Sequence, residues 1–172
     1  MLNTLLFQKI NDLAGQYVWL DRTGVFLSVY LGYILVAVLL FILIFRWSAK
    51  NSLMFWSAAI SALAARLGVT SLIRFFYHHP RPFDVMPVHQ LIGESGSSFP
   101  SGHASFFFAL SAAVYVFNKK LGIIFFISSA LIGLGRIYAG VHWPADVLGG
   151  AAVGIITGWL IGRFFEKLKP SS

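Results

Sequence analysis

The chain alternates long apolar stretches with short polar ones, and this pattern predicts helices that cross a membrane. Five apolar stretches, at about 25–45, 53–75, 101–118, 121–138 and 146–164, reach or approach the roughly 20 helical residues that a hydrocarbon core requires. The first is too long for the apolar part of a signal peptide, and four more follow it, so we expect it to be retained. The sequence therefore predicts a multi-pass membrane protein.

The first residues have a different pattern. In "MLNTLLFQKINDL", leucine and isoleucine recur at helical spacing, with Asn3, Lys9 and Asp12 among the polar residues between them. This is typical of a short interfacial helix lying on the outer membrane surface. A helix that only packs against the bundle would show the same spacing.

Composition agrees with a membrane location and excludes other classes. The chain has 172 residues, of which 58% are hydrophobic and 11% charged, outside the usual range of soluble proteins. We expect a single domain over residues 1–172. Cysteine is absent, which excludes disulfides and thiolate metal sites. The formal net charge is +7, but no basic run is interleaved with aromatic residues, so we expect no nucleic-acid partner.

The basic residues of the short loops predict the orientation. In a five-span arrangement, one side carries Arg46, Lys50, Lys119, Lys120, Arg163, Lys167 and Lys169. The positive-inside rule makes that side cytoplasmic. The outer side then carries the N-terminus, the loop 76–100 and the loop around His142. Arg74, Arg81 and Arg136 also fall there, against the insertion rule, and need another explanation.

The last apolar stretch has a glycine at every fourth position: Gly150, Gly154, Gly158 and Gly162. This spacing lays a groove along one helix face, which lets another helix approach closely. One interpretation is packing within the bundle, and the other is the seam of a homodimer.

Three polar clusters fall on the predicted outer side. In the first, "RFFYHHPRPF", Arg74 lies near the end of the second span and Arg81 lies beyond a break at Pro80. Two guanidinium groups near a membrane face can bind a phosphate bidentately. Taken alone, an arginine at the position of Arg74 is more often a snorkelling or headgroup-binding residue.

The second cluster is "SSFPSGHASFFF". Pro100 ends what precedes it, Ser101 is a good helix N-cap, and Gly102 allows close backbone approach. Free N–H groups at such a helix start bind anions, and His103 in the first turn would lie beside the anion. A capped helix with an incidental histidine is the alternative.

The third cluster is "GRIYAGVHWPAD", with Arg136, His142 and Asp146. A carboxylate one helical turn after a histidine can accept from one ring nitrogen and leave the other free as a nucleophile. The pair alone could also be a satisfied interfacial contact. Because all three clusters fall on one side, together they describe an oxyanion site with a nucleophile and an acid.

These motifs, Arg74 to Pro82, "PSGH" at 100–103 and "GRIYAGVHWPAD" at 135–146, resemble the three signatures of the type 2 phosphatidic acid phosphatase (PAP2) superfamily. That superfamily also contains bacterial acid phosphatases and vanadium haloperoxidases. The resemblance implies an all-α integral membrane protein: a PAP2-like helical bundle with about five transmembrane helices plus an N-terminal interfacial helix. It also implies hydrolysis of phosphate esters or anhydrides through a phosphohistidine, with no metal and no cofactor.

The resemblance assigns roles by position. His142 would attack phosphorus, Asp146 would orient it, and His103 would protonate the leaving oxygen. The phosphoryl oxygens would be bound by Arg74, Arg81, Ser101, the Gly102 amide and Arg136. Two positions depart from the family pattern: Arg74 replaces the usual lysine, and Gly135 replaces a serine that would contact phosphate.

A pocket at the ends of membrane helices implies a lipid phosphate or diphosphate substrate, with membrane lipids as the surrounding partner. The segments "FQKINDLAG", "HPRPF", "HQLI", "SFPSGH" and "GVHWPADVLGG" resemble those of small bacterial undecaprenyl-diphosphate phosphatases, although these often have Asp where this chain has Gly102. That resemblance implies the bacterial cytoplasmic (inner) membrane, in which the orientation predicted from the loops makes the site face outward. The alternatives are a phosphatidylglycerophosphate or lipid A 1-phosphate phosphatase and, outside enzymes, a lipid phosphate carrier or flippase.

Overall fold

The computed structural model describes residues 2–168, and every regular element in that range is a helix. In chain order these are α1 (Leu2–Asn11), α2 (Val18–Phe45), α3 (Ala49–Phe76), the single-turn α4 (Pro82–Val85), α5 (Gly102–Phe117), α6 (Lys119–Tyr138) and α7 (Pro144–Lys167). Two of them contain a π-helical segment, at Phe26–Tyr30 in α2 and Ala64–Thr70 in α3.

Helices α2, α3, α6 and α7 are long and apolar enough to cross a membrane, and α5 is a shorter apolar helix of 16 residues. The predicted all-helical membrane fold is confirmed. The predicted start of the first span is wrong: α2 begins at Val18 rather than near residue 25. Asp21 and Arg22 lower the hydropathy there, but the helix includes them. Asp21 accepts hydrogen bonds from the Gly15 N–H at 3.0 Å and the Tyr138 hydroxyl at 2.7 Å.

Helix α5 lies at the centre of the bundle and packs against α3, α6 and α7. The four regularly spaced glycines of α7 are buried, and all of them face α5. A Cβ atom at Gly154 would lie 2.5 Å from the Ser105 carbonyl oxygen and 2.8 Å from the Ala109 nitrogen. The glycine face is therefore covered within the chain, in agreement with the first of its two interpretations. The homodimer stays a prediction.

Helix α1 forms as predicted and shows features of both interpretations. Its Phe7 ring is buried against Trp143, with ring centroids 5.1 Å apart, while Leu2 and Leu5 are exposed. The buried Asn11 side chain donates to the carbonyl oxygens of His89 and Tyr138, both at 2.9 Å. It thereby joins α1 to the outer loop and to the end of α6.

The alternating directions of α2, α3, α5, α6 and α7 bring the three polar clusters to one end of the bundle. That end holds the last turns of α3 and α6, the first turns of α5 and α7, and the loops 77–101 and 139–143. The opposite end holds the basic residues used to predict the orientation, except Lys169, which lies outside the described residues. The motifs are therefore neighbours because of the fold.

Candidate active site

His142 and Asp146 form the centre of the site, and both are buried. Pro144 begins α7 at the position where proline suits a helix start, so His142 precedes the helix and Asp146 lies in its first turn. Nδ1 of His142 is 3.4 Å from Oδ2 of Asp146. Its other ring nitrogen, Nε2, is 3.4 Å from Nη1 of Arg81. The imidazole thus has a carboxylate on one side and a cation on the other.

Two residues that sequence reasoning did not assign to the site also contact Asp146. The Ser98 hydroxyl donates a hydrogen bond to Oδ2 and lies 3.4 Å from Nδ1 of His142. His79 Nδ1 lies 3.8 Å from Oδ1. Ser98 sits within "SSFPSGH" with no spacing or composition that marks it, so only the folded loop reveals its role.

Arg81 is 1% exposed although it lies in a loop, because backbone carbonyls surround its guanidinium. It donates to the oxygens of Gly96 at 2.9 Å, Val141 at 2.8 Å and Ser95 at 3.0 Å. These bonds join the outer loop to the loop that carries His142. Arg74 holds the turn before α5 in the same way, since its Nη2 donates to the Pro100 oxygen at 2.8 Å. Both guanidiniums are therefore held in place.

Glu94 bridges two of the predicted phosphate-binding residues. Its Oε2 is 3.4 Å from Nη2 of Arg81, and its Oε1 accepts from Nη2 of Arg136. Burial opposes ionisation of Glu94, but the two arginines outweigh it and hold the pKa of the carboxyl below its usual range. The Nε of Arg136 is buried and has no hydrogen-bond partner among residues 2–168. The pocket therefore already contains one anionic group and keeps a donor free.

The start of α5 completes the site. The Ser101 side chain caps the helix by accepting a hydrogen bond from the Ala104 N–H at 3.5 Å. The backbone N–H of Ser101 donates to the Asp146 carbonyl oxygen at 2.9 Å. Gly102 and His103 are the first helical residues, so their N–H groups have no partner within the helix. His103 interacts electrostatically with Arg136 and His142. The structure thus brings all of the sequence-predicted site residues to one place.

The environment of His142 suits a neutral imidazole. Burial lowers its pKa to about 4, against the opposing effect of the bond to Asp146. At pH 7 the ring is therefore uncharged, as a nitrogen nucleophile must be.

Within residues 2–168, no group of three or more His, Cys, Asp or Glu side chains could hold a metal ion.

Comparisons with known proteins agree with the motifs. A family model described as the PAP2 superfamily matches residues 53–170. The chain is 35% identical to undecaprenyl-diphosphatase BcrC of Bacillus subtilis (strain 168), over 98% of this chain and 87% of that protein. It is 33% identical to a protein of Bacillus licheniformis named bacitracin transport permease protein BcrC, over 98% and 83%. The crystal structure of Aquifex aeolicus LpxE superimposes with a TM-score of 0.76 at 32% identity, covering 95% of this chain and 96% of that one.

Proposed function

This chain belongs to the PAP2 superfamily and is a membrane phosphatase, and we propose that it hydrolyses undecaprenyl diphosphate to undecaprenyl phosphate. The observation that carries the proposal is the placement of His142, with Nδ1 on Asp146 and Nε2 on the side of the arginines. A nucleophilic nitrogen that faces fixed cations suits attack on a phosphoryl group.

The proposed reaction has two steps. Nε2 of His142 attacks the terminal phosphorus, so a P–N bond forms while the bond from phosphorus to the bridging oxygen breaks. His103 gives a proton to that oxygen, which leaves as the lipid monophosphate. Water then attacks the phosphohistidine and loses a proton to His103, which releases inorganic phosphate and restores the imidazole.

The arginines neutralise the charge that spreads over the phosphoryl oxygens during transfer. In this scheme Arg81 and Arg136 hold two of those oxygens, in the place where they now hold the two carboxylate oxygens of Glu94. Arg74 and the first N–H groups of α5 bind the same phosphoryl group from the other side. Asp146 keeps the proton on Nδ1 and balances the charge of the phosphorylated ring.

The relatives support the choice of substrate, since the Bacillus subtilis protein with which the chain aligns over almost its whole length is named an undecaprenyl-diphosphatase. The basic loops at the other end of the bundle support an orientation in which the site faces outward from the bacterial cytoplasmic membrane. A substrate with its tail in the outer leaflet would then reach the site directly.

Transport is a second candidate, favoured by the name of the Bacillus licheniformis relative. A lipid phosphate carrier would need the same anion pocket but no nucleophile. The two functions therefore make opposite predictions for a protein that lacks the His142 imidazole.

The test is phosphate release by the purified protein in detergent with EDTA present. Undecaprenyl diphosphate, phosphatidylglycerophosphate and lipid A are compared, for the parent, His142→Ala and the control His78→Ala, an exposed histidine of the same outer loop. We expect fastest release from the diphosphate, no release by His142→Ala and parental rates for His78→Ala. Substrate movement across liposomes that survives His142→Ala, without phosphate release by the parent, would establish the carrier instead.

A further inference from the structure

Arg66 is an arginine inside the membrane-spanning helix α3, ten residues before its end at Phe76. Its side chain is half-buried and makes no hydrogen bond or ion pair with any residue in the range 2–168. Its electrostatic neighbours include Arg74, Arg81, Arg136 and His103, none of which supplies negative charge. A cation at this depth is costly without a counter-charge, so the absence of a protein anion requires explanation.

The guanidinium of Arg66 lies against the first residue of α5. A Cβ atom at Gly102 would overlap Nη1 of Arg66, so a side chain there would move the guanidinium from its present position. The N-terminus of a helix carries partial positive charge and free N–H groups. A cation placed there is repelled by the helix unless an anion lies between them. The contact also shows that α5 begins below the end of α3, which recesses the pocket into the bundle.

Arg66 lines a cavity of about 270 Å³ between α2, α3 and α5. Its polar side chains are Arg66, His103 and Tyr33, and the remaining side chains of the lining, including Val36 and Phe106, are apolar. His103 joins this cavity to the active site, because it lines the cavity and also interacts with Arg136 and His142. A ligand with one anionic end and one apolar end fits this combination of walls.

We propose that Arg66 binds the phosphate that remains on the lipid, while Arg81 and Arg136 bind the terminal phosphate that is transferred. This inference rests on the proposed function and adds a second phosphate site to it. The bridging oxygen then lies beside His103, which protonates it, and the first isoprenoid unit lies along Val36 and Phe106. Arg66 thereby makes the enzyme selective for lipid diphosphates over lipid monophosphates, and it stabilises the leaving group as negative charge develops on it.

The test compares farnesyl diphosphate with farnesyl monophosphate, which share a tail and differ only in the second phosphate. The quantity measured is the ratio of kcat/KM for the diphosphate to kcat/KM for the monophosphate. We expect Arg66→Gln to lower this ratio about tenfold or more, because a charge-assisted contact to the second phosphate is lost. The control is Arg46→Gln, which changes an exposed arginine at the opposite end of the bundle and should leave the ratio at the parental value.

Arg66→Lys is the second variant, because it keeps the charge but not the planar fork. We expect a ratio between those of the parent and Arg66→Gln. An unchanged ratio in the two Arg66 variants would overturn the proposal. If both substrates then lose activity equally, Arg66 has a structural role. A parent that hydrolyses the monophosphate but not the diphosphate would instead overturn the proposed substrate, and with it this role. The two failures are therefore distinguishable.

Discussion

Nδ1 of His142 lies 3.4 Å from Oδ2 of Asp146, and that oxygen also accepts hydrogen bonds from the Trp143 N–H and the Ser98 hydroxyl. The carboxylate is thus fixed before it orients the ring. In Asp146→Asn, the amide oxygen can replace Oδ2 and the NH₂ group can replace Oδ1, which has no hydrogen bond. The fold and the tautomer of His142 should persist, because an oxygen still accepts from Nδ1, but the negative charge that balances the phosphorylated ring is lost. We expect kcat to fall by about 10²-fold, since a hydrogen bond to a charged group is replaced by one to a neutral group.

Thermal unfolding in detergent, measured beside kcat, separates the two effects of Asp146→Asn. Ser98→Ala is the graded control, because it removes one hydrogen bond to the carboxylate but leaves its charge, and we expect about a tenfold loss of kcat. An Asp146→Asn enzyme within tenfold of the parent would show that the charge of Asp146 does not stabilise the phosphorylated ring of His142.

The pH dependence of kcat/KM follows from the buried imidazole. Because burial lowers the pKa of His142 to about 4, the neutral nucleophile is present above that pH and is lost as the pH falls through it. We therefore expect the acidic limb of kcat/KM near pH 4, after correction for the substrate's own titration, measured by phosphorus NMR. An acidic limb near 6.5, the pKa of a solvated histidine, would mean that His142 is hydrated in the working enzyme.

The sequence was sufficient to predict the spans and the residues that converge. Apolar length marks each crossing, and the alternation of crossings alone brings Arg74, His103 and His142 to one end. Local signals also marked the helix starts, since Ser101 caps α5 and Pro144 begins α7. These features depend on local helix preferences and on the thickness of the membrane, so they can be predicted from the sequence without a structure.

The roles of Glu94, Ser98 and Arg66 could not be predicted in this way. Glu94 and Ser98 lie in a loop without periodicity, and their partners Arg81 and Asp146 are 13 and 48 residues away along the chain. The sequence shows Arg66 as a cation within an apolar stretch, but its position against Gly102 depends on how far α5 is recessed. Such long-range distances follow from packing, which composition and spacing do not specify.

Glu94 occupies the gap between Arg81 and Arg136, so it should compete with any phosphate that binds there. Glu94→Gln keeps the side-chain size but removes the charge that holds both arginines. We expect orthophosphate to inhibit this variant more strongly than the parent, with an inhibition constant about tenfold lower, because phosphate no longer displaces a paired carboxylate.

The control for Glu94→Gln is Asp84→Asn, which neutralises an exposed carboxylate of the same outer loop. Asp84 accepts a hydrogen bond from the Arg81 backbone N–H and not from its guanidinium, so the substitution leaves the pocket unchanged. We expect its inhibition constant to match that of the parent. Weaker inhibition of Glu94→Gln by orthophosphate would contradict competition and would mean that Glu94 helps to position the arginines for phosphate.

The glycine face of α7 makes a prediction about stability. A methyl group at Gly154 would lie 2.5 Å from the Ser105 carbonyl oxygen, so Gly154→Ala must push α5 and α7 apart. We expect it to lower the free energy of unfolding by about 1–3 kcal/mol. The matched control is Gly68→Ala in α3, where a Cβ atom meets nothing within 4 Å and alanine should be neutral or stabilising. Unfolding in mixed detergent and SDS measures both variants. If Gly154→Ala instead leaves unfolding unchanged and reduces the dimer fraction seen by cross-linking, then this face joins two chains, and the packing of α5 against α7 within one chain is wrong.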